Sequence, residues 1–255
     1  FPRFEEHWVG RATYDYKNKY LAEFNGAYTG SEKFAPGMRF GFFPSMAVGW
    51  VISNEPFVKE NVSWLNNLKV RYSYGEVGND QGAPRWAYRT DFSTWGNVPF
   101  GYPPQNYSMY QEGSAANANA TWETAVKQNL GVEARMFGGL SFTLDMFKEQ
   151  REGILMKRRT IPIWFGQTTP TANIGETKSH GFEAEVKYNG MITKDFTYFV
   201  SGNINFSESR ITFRDDPGNR PEYQKDAGKP IGWNTKLIVE DLHDSWDDVY
   251  NSTES

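Results

Sequence analysis

Few of the residues able to do covalent or metal chemistry stand where such chemistry would need them. His7, His180 and His243 lie far apart, and none falls in a His-Glu-x-x-His or similar ligand spacing, so no metal site is expected. Glu183 and Glu185 share one face of an alternating segment with side chains roughly 7 Å apart, a separation that suits the paired carboxylates of a glycosidase. Lys187 continues the same row, however, and charged strand faces produce such pairs routinely, so a structural role is preferred. Asp215-Asp216-Pro217-Gly218-Asn219 and the acidic run from Asp241 to Asp248 lack the EF-hand spacing and read as solvated loops rather than calcium sites. The absence of cysteine removes disulfides, thiolate ligands and a Cys nucleophile, and neither a phosphate-binding glycine loop nor a Gly-x-Ser-x-Gly elbow occurs. Neither an enzymatic activity nor a cofactor is expected.

The residue types that do point to recognition are aromatic. Trp86, Tyr88, Trp95, Phe100, Tyr102, Tyr107 and Tyr110 crowd one stretch together with Asn, Gln and Arg, and Trp164-Phe165 stands in another. Aromatic faces stack on sugar rings or peptide side chains while polar neighbours fix orientation. Trp86, Tyr88, Trp95, Tyr102, Tyr107, Tyr110, Trp164 and Phe165 are therefore the candidate ligand or partner contacts, with packing of the loops on themselves as the competing reading. The formal charge of −4 argues against a nucleic-acid partner held by phosphate neutralisation.

What must position these loops is strand. Trp8, Gly10, Ala12, Tyr14 and Tyr16 share one face and Val9, Arg11, Thr13 and Asp15 the other, and the pattern resumes after Lys17-Asn18-Lys19, making residues 8 to 28 a hairpin. Similar alternation runs through residues 40–52, 68–74, 122–136, 140–146, 182–188 and 196–206, about eight strands in all, although Pro44 argues against an uninterrupted strand there. No helical periodicity of comparable length appears, so the fold class is all-β and antiparallel. The longest apolar run, Met46 to Ile52, is far too short for a membrane-spanning helix, which excludes helical insertion but not a β-barrel.

A soluble sandwich alternates in the same way; strand length, aromatic strand ends and polar faces carrying interspersed charges of both signs favour a transmembrane barrel over it, and the link lengths add a separate pattern. The expected strands run about 9 to 15 residues, near what a tilted strand needs to cross a bilayer. Aromatic residues such as Trp8, Tyr16, Tyr20, Tyr28, Trp122, Tyr188 and Phe196 gather at strand ends, as interfacial girdles do. Short links at residues 17–19, 138–139 and 189–194 alternate with long ones at 29–38, 76–121, 153–178 and from 207 onward, with 53–63 intermediate. Short turns on one rim and long loops on the other are what an outer-membrane barrel shows. Eight strands with free edges cannot sit in lipid, so they either close on themselves or are completed by more chain. The start Phe1-Pro2-Arg3-Phe4 has no initiator Met or signal peptide, and the chain reads as a fragment.

Particular stretches carry a family resemblance. Tyr14-Asp15-Tyr16-Lys17-Asn18-Lys19-Tyr20, Arg39-Phe40-Gly41-Phe42-Phe43-Pro44-Ser45 with Gly49-Trp50, Trp64 to Arg71 with Tyr74-Gly75 and Gly78-Asn79, Thr121-Trp122-Glu123-Thr124, and Asn173-Ile174-Gly175-Glu176 leading into Gly181-Phe182-Glu183 resemble the SusC/RagA family of TonB-dependent outer-membrane transporters of Bacteroidota. The resemblance covers about residues 14 to 190 and is weaker beyond 207. It implies that residues 1–255 are part of one barrel domain, a segment of a 22-stranded barrel whose plug and N-terminal domains lie outside this sequence. It further implies outer-membrane import of oligosaccharides or peptides, driven through TonB and capped by a SusD-like surface lipoprotein. The alternatives from other classes are a secreted all-β carbohydrate-binding module and a passive porin-like barrel.

Overall fold

A computed structural model describes residues 3–234 together with Lys236 and Trp246; His243 and the acidic residues of the 241–248 run lie outside the described residues. Ten strands account for most of it: β1 (Glu5–Tyr16), β2 (Tyr20–Ser31), β3 (Phe40–Val51), β4 (Leu65–Asn79), β5 (Phe92–Phe100), β6 (Gln105–Glu112), β7 (Glu123–Met136), β8 (Leu140–Lys157), β9 (Thr171–Thr193) and β10 (Phe196–Phe213). One short helix, α1 (Pro56–Asn61), lies between β3 and β4. Eight strands form a single antiparallel sheet in the order β1-β2-β3-β4-β7-β8-β9-β10, and β5-β6 is a separate hairpin inserted between β4 and β7. The large sheet is open, with β1 and β10 as its edges.

Because side chains alternate with period two, one row of cross-strand partners belongs to one face and the next row to the other. The row Tyr14, Ala22, Val48, Tyr72, Leu130, Met146, Phe182, Phe206 runs through all eight strands and is apolar or aromatic throughout. One residue further along, the row Asp15, Leu21, Gly49, Arg71, Gly131, Asp145, Glu183, Asn205 is small, polar or charged from β3 onward. Large side chains of the apolar face stand exposed, Phe24 at 51%, Met46 at 50% and Ile204 at 62%. Such a continuous uncovered apolar face is untenable in water and is what lipid contact requires, whereas a sandwich would have packed a second sheet on it.

The connections separate by end much as the alternation predicts, except that 52–64, which holds α1, is as long as 158–170 at the opposite end. Residues 17–19, 52–64, 137–139 and 194–195 link strands at one end, and residues 32–39, 80–122 and 158–170 link them at the other. Two expectations are corrected. The long links at 153–178 and 76–121 are shorter or more ordered than expected: β8 and β9 continue pairing to Lys157 and from Thr171, and residues 92–112 hold the β5-β6 hairpin. Above the apolar band these strands turn against the loop core, with Leu155 packed on it and Gly175 buried, so the ladder persists without a regular alternation to reveal it. β3 is unbroken through Pro44 because its ladder with β4 begins only at Ser45, one residue beyond the ring.

At the short-turn rim, the Tyr16, Tyr20 and Trp50 rings lie in sequence at 6.5 Å spacings, and Trp64 stacks on Phe137 at 5.3 Å. Glu55, just before α1, fastens this girdle: it receives Lys19 Nζ at 2.9 Å, the Tyr20 hydroxyl at 2.8 Å and Trp50 Nε1 at 3.1 Å. These donors, Lys19 foremost, hold its carboxyl down at about 2 against an ordinary 4.5. A carboxyl lowered on folding contributes stability in full above its unfolded value and loses it as pH falls to the folded one. Tryptophan emission is therefore expected to show an acid step between about pH 4.5 and about 2, and Glu55→Gln to lack it; an unaltered step in Glu55→Gln would assign it elsewhere.

Candidate binding site

The long-loop rim is where the chain builds a core. Phe34 is fully buried with Ala83 and Ala120, and Ala87, Trp122 and Leu155 pack against them. The Trp122 ring meets Phe34 at 5.3 Å and Phe43 edge-on at 5.5 Å, and its Nε1 donates to the Arg39 carbonyl at 2.9 Å. Trp122, expected in the outward girdle, instead turns into this cluster, because the strand parity that placed it ends at Glu123 where β7 begins. Phe43 fills the space that a Cβ at Gly41 or Gly78 would occupy, which explains a glycine at each position. Asn173 brackets the same knot: its side-chain oxygen accepts the Thr121 N–H at 3.0 Å, and its amide donates to the Thr121 and Gly153 carbonyls at 2.8 Å each.

Three stretches that stand apart in sequence, at 39–45, 121–124 and 173–176, thus meet at one point beneath the long loop. The other side of the loop base is clamped by charge. Asp80 takes the Ser31 hydroxyl at 2.7 Å and the Lys33 ammonium at 3.2 Å, and Arg85 reaches Glu32 at 3.0 Å. Sequence alone assigns no individual role to Ser31 or Asn173, and Asn173 is marked only by its place in a recognised stretch.

From this floor the candidate aromatic residues project at two levels. Trp86 and Tyr88 lie at the base beside Ala87, with the Arg85 guanidinium 4.5 Å from the Trp86 ring and that of Arg89 5.4 Å from Tyr88. Trp95, Tyr102, Tyr107 and Tyr110 belong to the β5-β6 hairpin and are exposed, Tyr102 completely. The hairpin carries a register shift between Thr94 and Asn97, and Tyr107 and Tyr110, three residues apart, lie on opposite faces, so the four do not form one flat platform. Trp164 and Phe165 occupy the 158–170 loop, which is tied to the foot of the hairpin through Gln167 and Glu112 and a bridge between Ser114 and Thr168. Trp164 is 83% exposed and Phe165 43%.

The 158–170 loop is itself fastened to the chain after β10. Asp215 accepts the backbone N–H groups of Arg159 and Thr160 at 2.7 and 3.1 Å and the Thr160 hydroxyl at 3.0 Å. Asp216 accepts the N–H groups of Asp226 and Ala227, and Arg159 pairs with Asp226 at 2.7 Å, which Arg214 also approaches at 3.2 Å. Asp215 is buried, so the expectation of a solvated loop is corrected here: the carboxylates serve as acceptors for backbone and guanidinium donors. Burial pushes the Asp215 carboxyl up, but the Arg159 and Thr160 donors and the Arg158 charge outweigh it and hold it below the ordinary range. Asp226 is held low as well, chiefly by Arg159.

Below the rim, the inward face carries a ladder of opposed charges. Arg71 on β4 reaches across β7 to Asp145 on β8 at 2.6 Å while holding Glu133 at 3.0 Å, and Asn129 also donates to Asp145. Gly131 makes the crossing possible, since a Cβ there would lie 2.7 Å from the guanidinium. Arg151 holds Glu123 and Glu149, and Lys127 joins Glu149. Glu183 and Glu185 belong to this wall, facing Asp145 and Thr143 on β8, in keeping with their structural reading. His7 and His180 lie on β1 and β9, first and seventh in the strand order, and no group of three or more potential metal ligands occurs among the described residues.

Comparison with known proteins agrees with this architecture. TonB-dependent receptor SusC of Bacteroides thetaiotaomicron is 30% identical over 237 residues, 90% of this chain and 23% of that protein. TonB-dependent receptor P26 of Formosa agariphila is 32% identical over 203 residues, 78% of this chain and 20% of that protein. The chain thus spans about a fifth to a quarter of the length of these relatives. In three dimensions it is similar to a chain of the RagAB peptide importer in its open-open state, with a TM-score of 0.72 at 21% identity over 82% of this chain and 22% of that one, a likeness of fold. The profile of the family described as "TonB dependent receptor-like, beta-barrel" matches residues 8–252, and with the apolar outer rows, charged inner rows and long 80–122 loop opposite the tight turns already seen, this chain belongs to that family.

Proposed function

We propose that the protein to which this chain belongs imports oligosaccharides or peptides across the outer membrane, energised through TonB and working with a SusD-like surface lipoprotein. Residues 1–255 would form part of one larger barrel domain, the remainder of the protein supplying the plug, the N-terminal domains and the other strands. The observation that carries this reading is the family match over residues 8–252 on a sheet whose longest loop, 80–122, lies at the end opposite the tight turns at 17–19, 137–139 and 194–195. Open edges at β1 and β10 require further strands in lipid, which favours a larger barrel over an eight-stranded one. In this reading the outward rows face lipid, the charged ladder faces the lumen, and the aromatic residues from Trp86 to Tyr110 with Trp164 and Phe165 contact ligand or lipoprotein above it. The segment performs binding and transport and no covalent chemistry.

The relatives' identity as receptors favours this over a secreted binding module, and their TonB dependence over a passive pore. The test is to solubilise native outer membranes in mild detergent, isolate the complex containing this sequence, and measure the masses of its parent chain and companions. A parent several times the 29.2 kDa of this chain with a tightly held lipoprotein is expected. A free water-soluble chain near that mass would overturn the proposal.

A further inference from the structure

The outward face changes character abruptly toward the long-loop end. On β10 the apolar positions run from Phe196 to Phe206, about 34 Å along the strand, or about 26 Å in height at a tilt near 40°, which matches a lipid-facing band of about 25 Å. The next outward positions are Glu208 and Arg210; on β9, above Phe182, they are His180 and Lys178; on β8, above Met146, Lys148. The register sets Lys148 opposite His180 and Lys178 opposite Arg210, so four basic side chains occupy two adjacent rows on three adjoining strands. All four are exposed.

Their partners differ from those of the inward cations. On the inner face at the same height, Lys127 and Arg151 are held by Glu149. Outside, Glu208 holds Arg210 at 2.5 Å, and Glu152 is occupied by the Gln150 amide at 2.6 Å. Glu176 lies two positions beyond Lys178, but neither Lys148 nor Lys178 has a carboxylate within ion-pair distance among the described residues. Two ammonium groups at the edge of a hydrocarbon band, with a guanidinium beside them, demand anionic oxygens at that depth.

Resting on the outer-membrane reading above, we propose that Lys148, Lys178 and Arg210, with His180 alongside, bind the phosphorylated headgroup of an outer-leaflet glycolipid whose acyl chains lie along Met146, Phe182 and Phe206. The patch faces outward, so neither a lumen ligand nor a lipoprotein seated over the loops reaches it. Its cations are one and two outward positions above the band, where an amphiphile with a phosphorylated sugar head places its charge. Electrostatic attraction of this kind is worth roughly a factor of five per basic residue, and it is screened by salt.

The test uses the complete parent protein, purified in detergent and offered monophosphoryl lipid A or its dephosphorylated counterpart in micelles, with retained lipid read by native mass spectrometry. The wild type is expected to retain the phosphorylated form, and Lys148→Gln/Lys178→Gln/Arg210→Gln to retain it on the order of 10- to 100-fold less. The charge-keeping Lys148→Arg/Lys178→Arg variant is expected to bind as the wild type does, which separates loss of the site from misfolding. Equal retention by the triple Gln variant, equal retention of both lipids, or no retention by the wild type would overturn the proposal. Recovery of the parent protein in the detergent-extracted membrane fraction would, in that event, leave the barrel reading standing, whereas its recovery in the soluble fraction would remove both.

Discussion

Replacing Leu144 by Arg is expected to destabilise the folded barrel by about 2–4 kcal/mol, and replacing its neighbour Thr143 by Arg by much less. The two residues are adjacent in β8, so chain position and added charge are common to both changes, and the loss of strand propensity is if anything larger for the β-branched Thr143. What differs is the face. Leu144 pairs with Val132 and Ala184, and Ile204 completes the row on β10, all on the apolar side. A guanidinium there must be dehydrated or drag water and headgroups into the band. Thr143 pairs with Glu133 on one side and Glu185 on the other, so an arginine at that position meets two carboxylates on the charged wall. Denaturant midpoints for folding of the parent chain into vesicles would measure the difference. Equal tolerance of both substitutions would overturn the assignment of faces.

That prediction is available from the sequence because alternation is a local property. Leu140, Phe142, Leu144 and Met146 declare the outer face without knowledge of any neighbouring strand, and the cross-strand register then aligns rows that each strand had already prepared. The limits of legibility follow from the same physics. Where a strand leaves the apolar band, for the loop core at Thr171 to Thr177 or for water in the β5-β6 hairpin, nothing enforces alternation and strands run on unseen. Pro44 looked like an interruption because its compatibility depends on β4 ending its pairing at Ser45, a fact about another strand.

The candidate site was legible in its residue types and much less so in its arrangement. The eight aromatic residues fall on a loop base, a projecting hairpin and a neighbouring loop, and only the geometry shows that Trp86 and Tyr88 belong to the first while Tyr102 and Tyr110 belong to the second. From sequence Asp215 looks solvated because its donors, the Arg159 and Thr160 backbone N–H groups, lie more than fifty residues away. The recognised stretches at 39–45, 121–124 and 173–176 had no stated reason to belong together until their meeting at Trp122 supplied one.

Trp122 is therefore the position at which the loop floor should be most sensitive, and Trp122→Ala is expected to cost about 3 kcal/mol, at the lower end of the range for removing a large aromatic ring because Trp122 is only partly buried. The change strips the neighbours from the buried Phe34 ring and from Phe43, and it leaves the Arg39 carbonyl without its indole donor. Trp122→Phe, which keeps a ring and loses the N–H, should cost about 1 kcal/mol. Since the strands below retain their ladders, the loss should appear as local opening: limited proteolysis within residues 80–122 should accelerate in Trp122→Ala while the sheet stays protected. The same variant discriminates between the two roles open to the aromatic residues. If Trp86 and Tyr88 act chiefly by packing the base, loosening the floor should leave substitutions on the hairpin, such as Tyr102→Ala, with their full separate effect on ligand or lipoprotein binding. If both levels form one contact surface positioned by the knot, Trp122→Ala should abolish most of the effect of Tyr102→Ala, a coupling that a double-mutant cycle on binding measures directly.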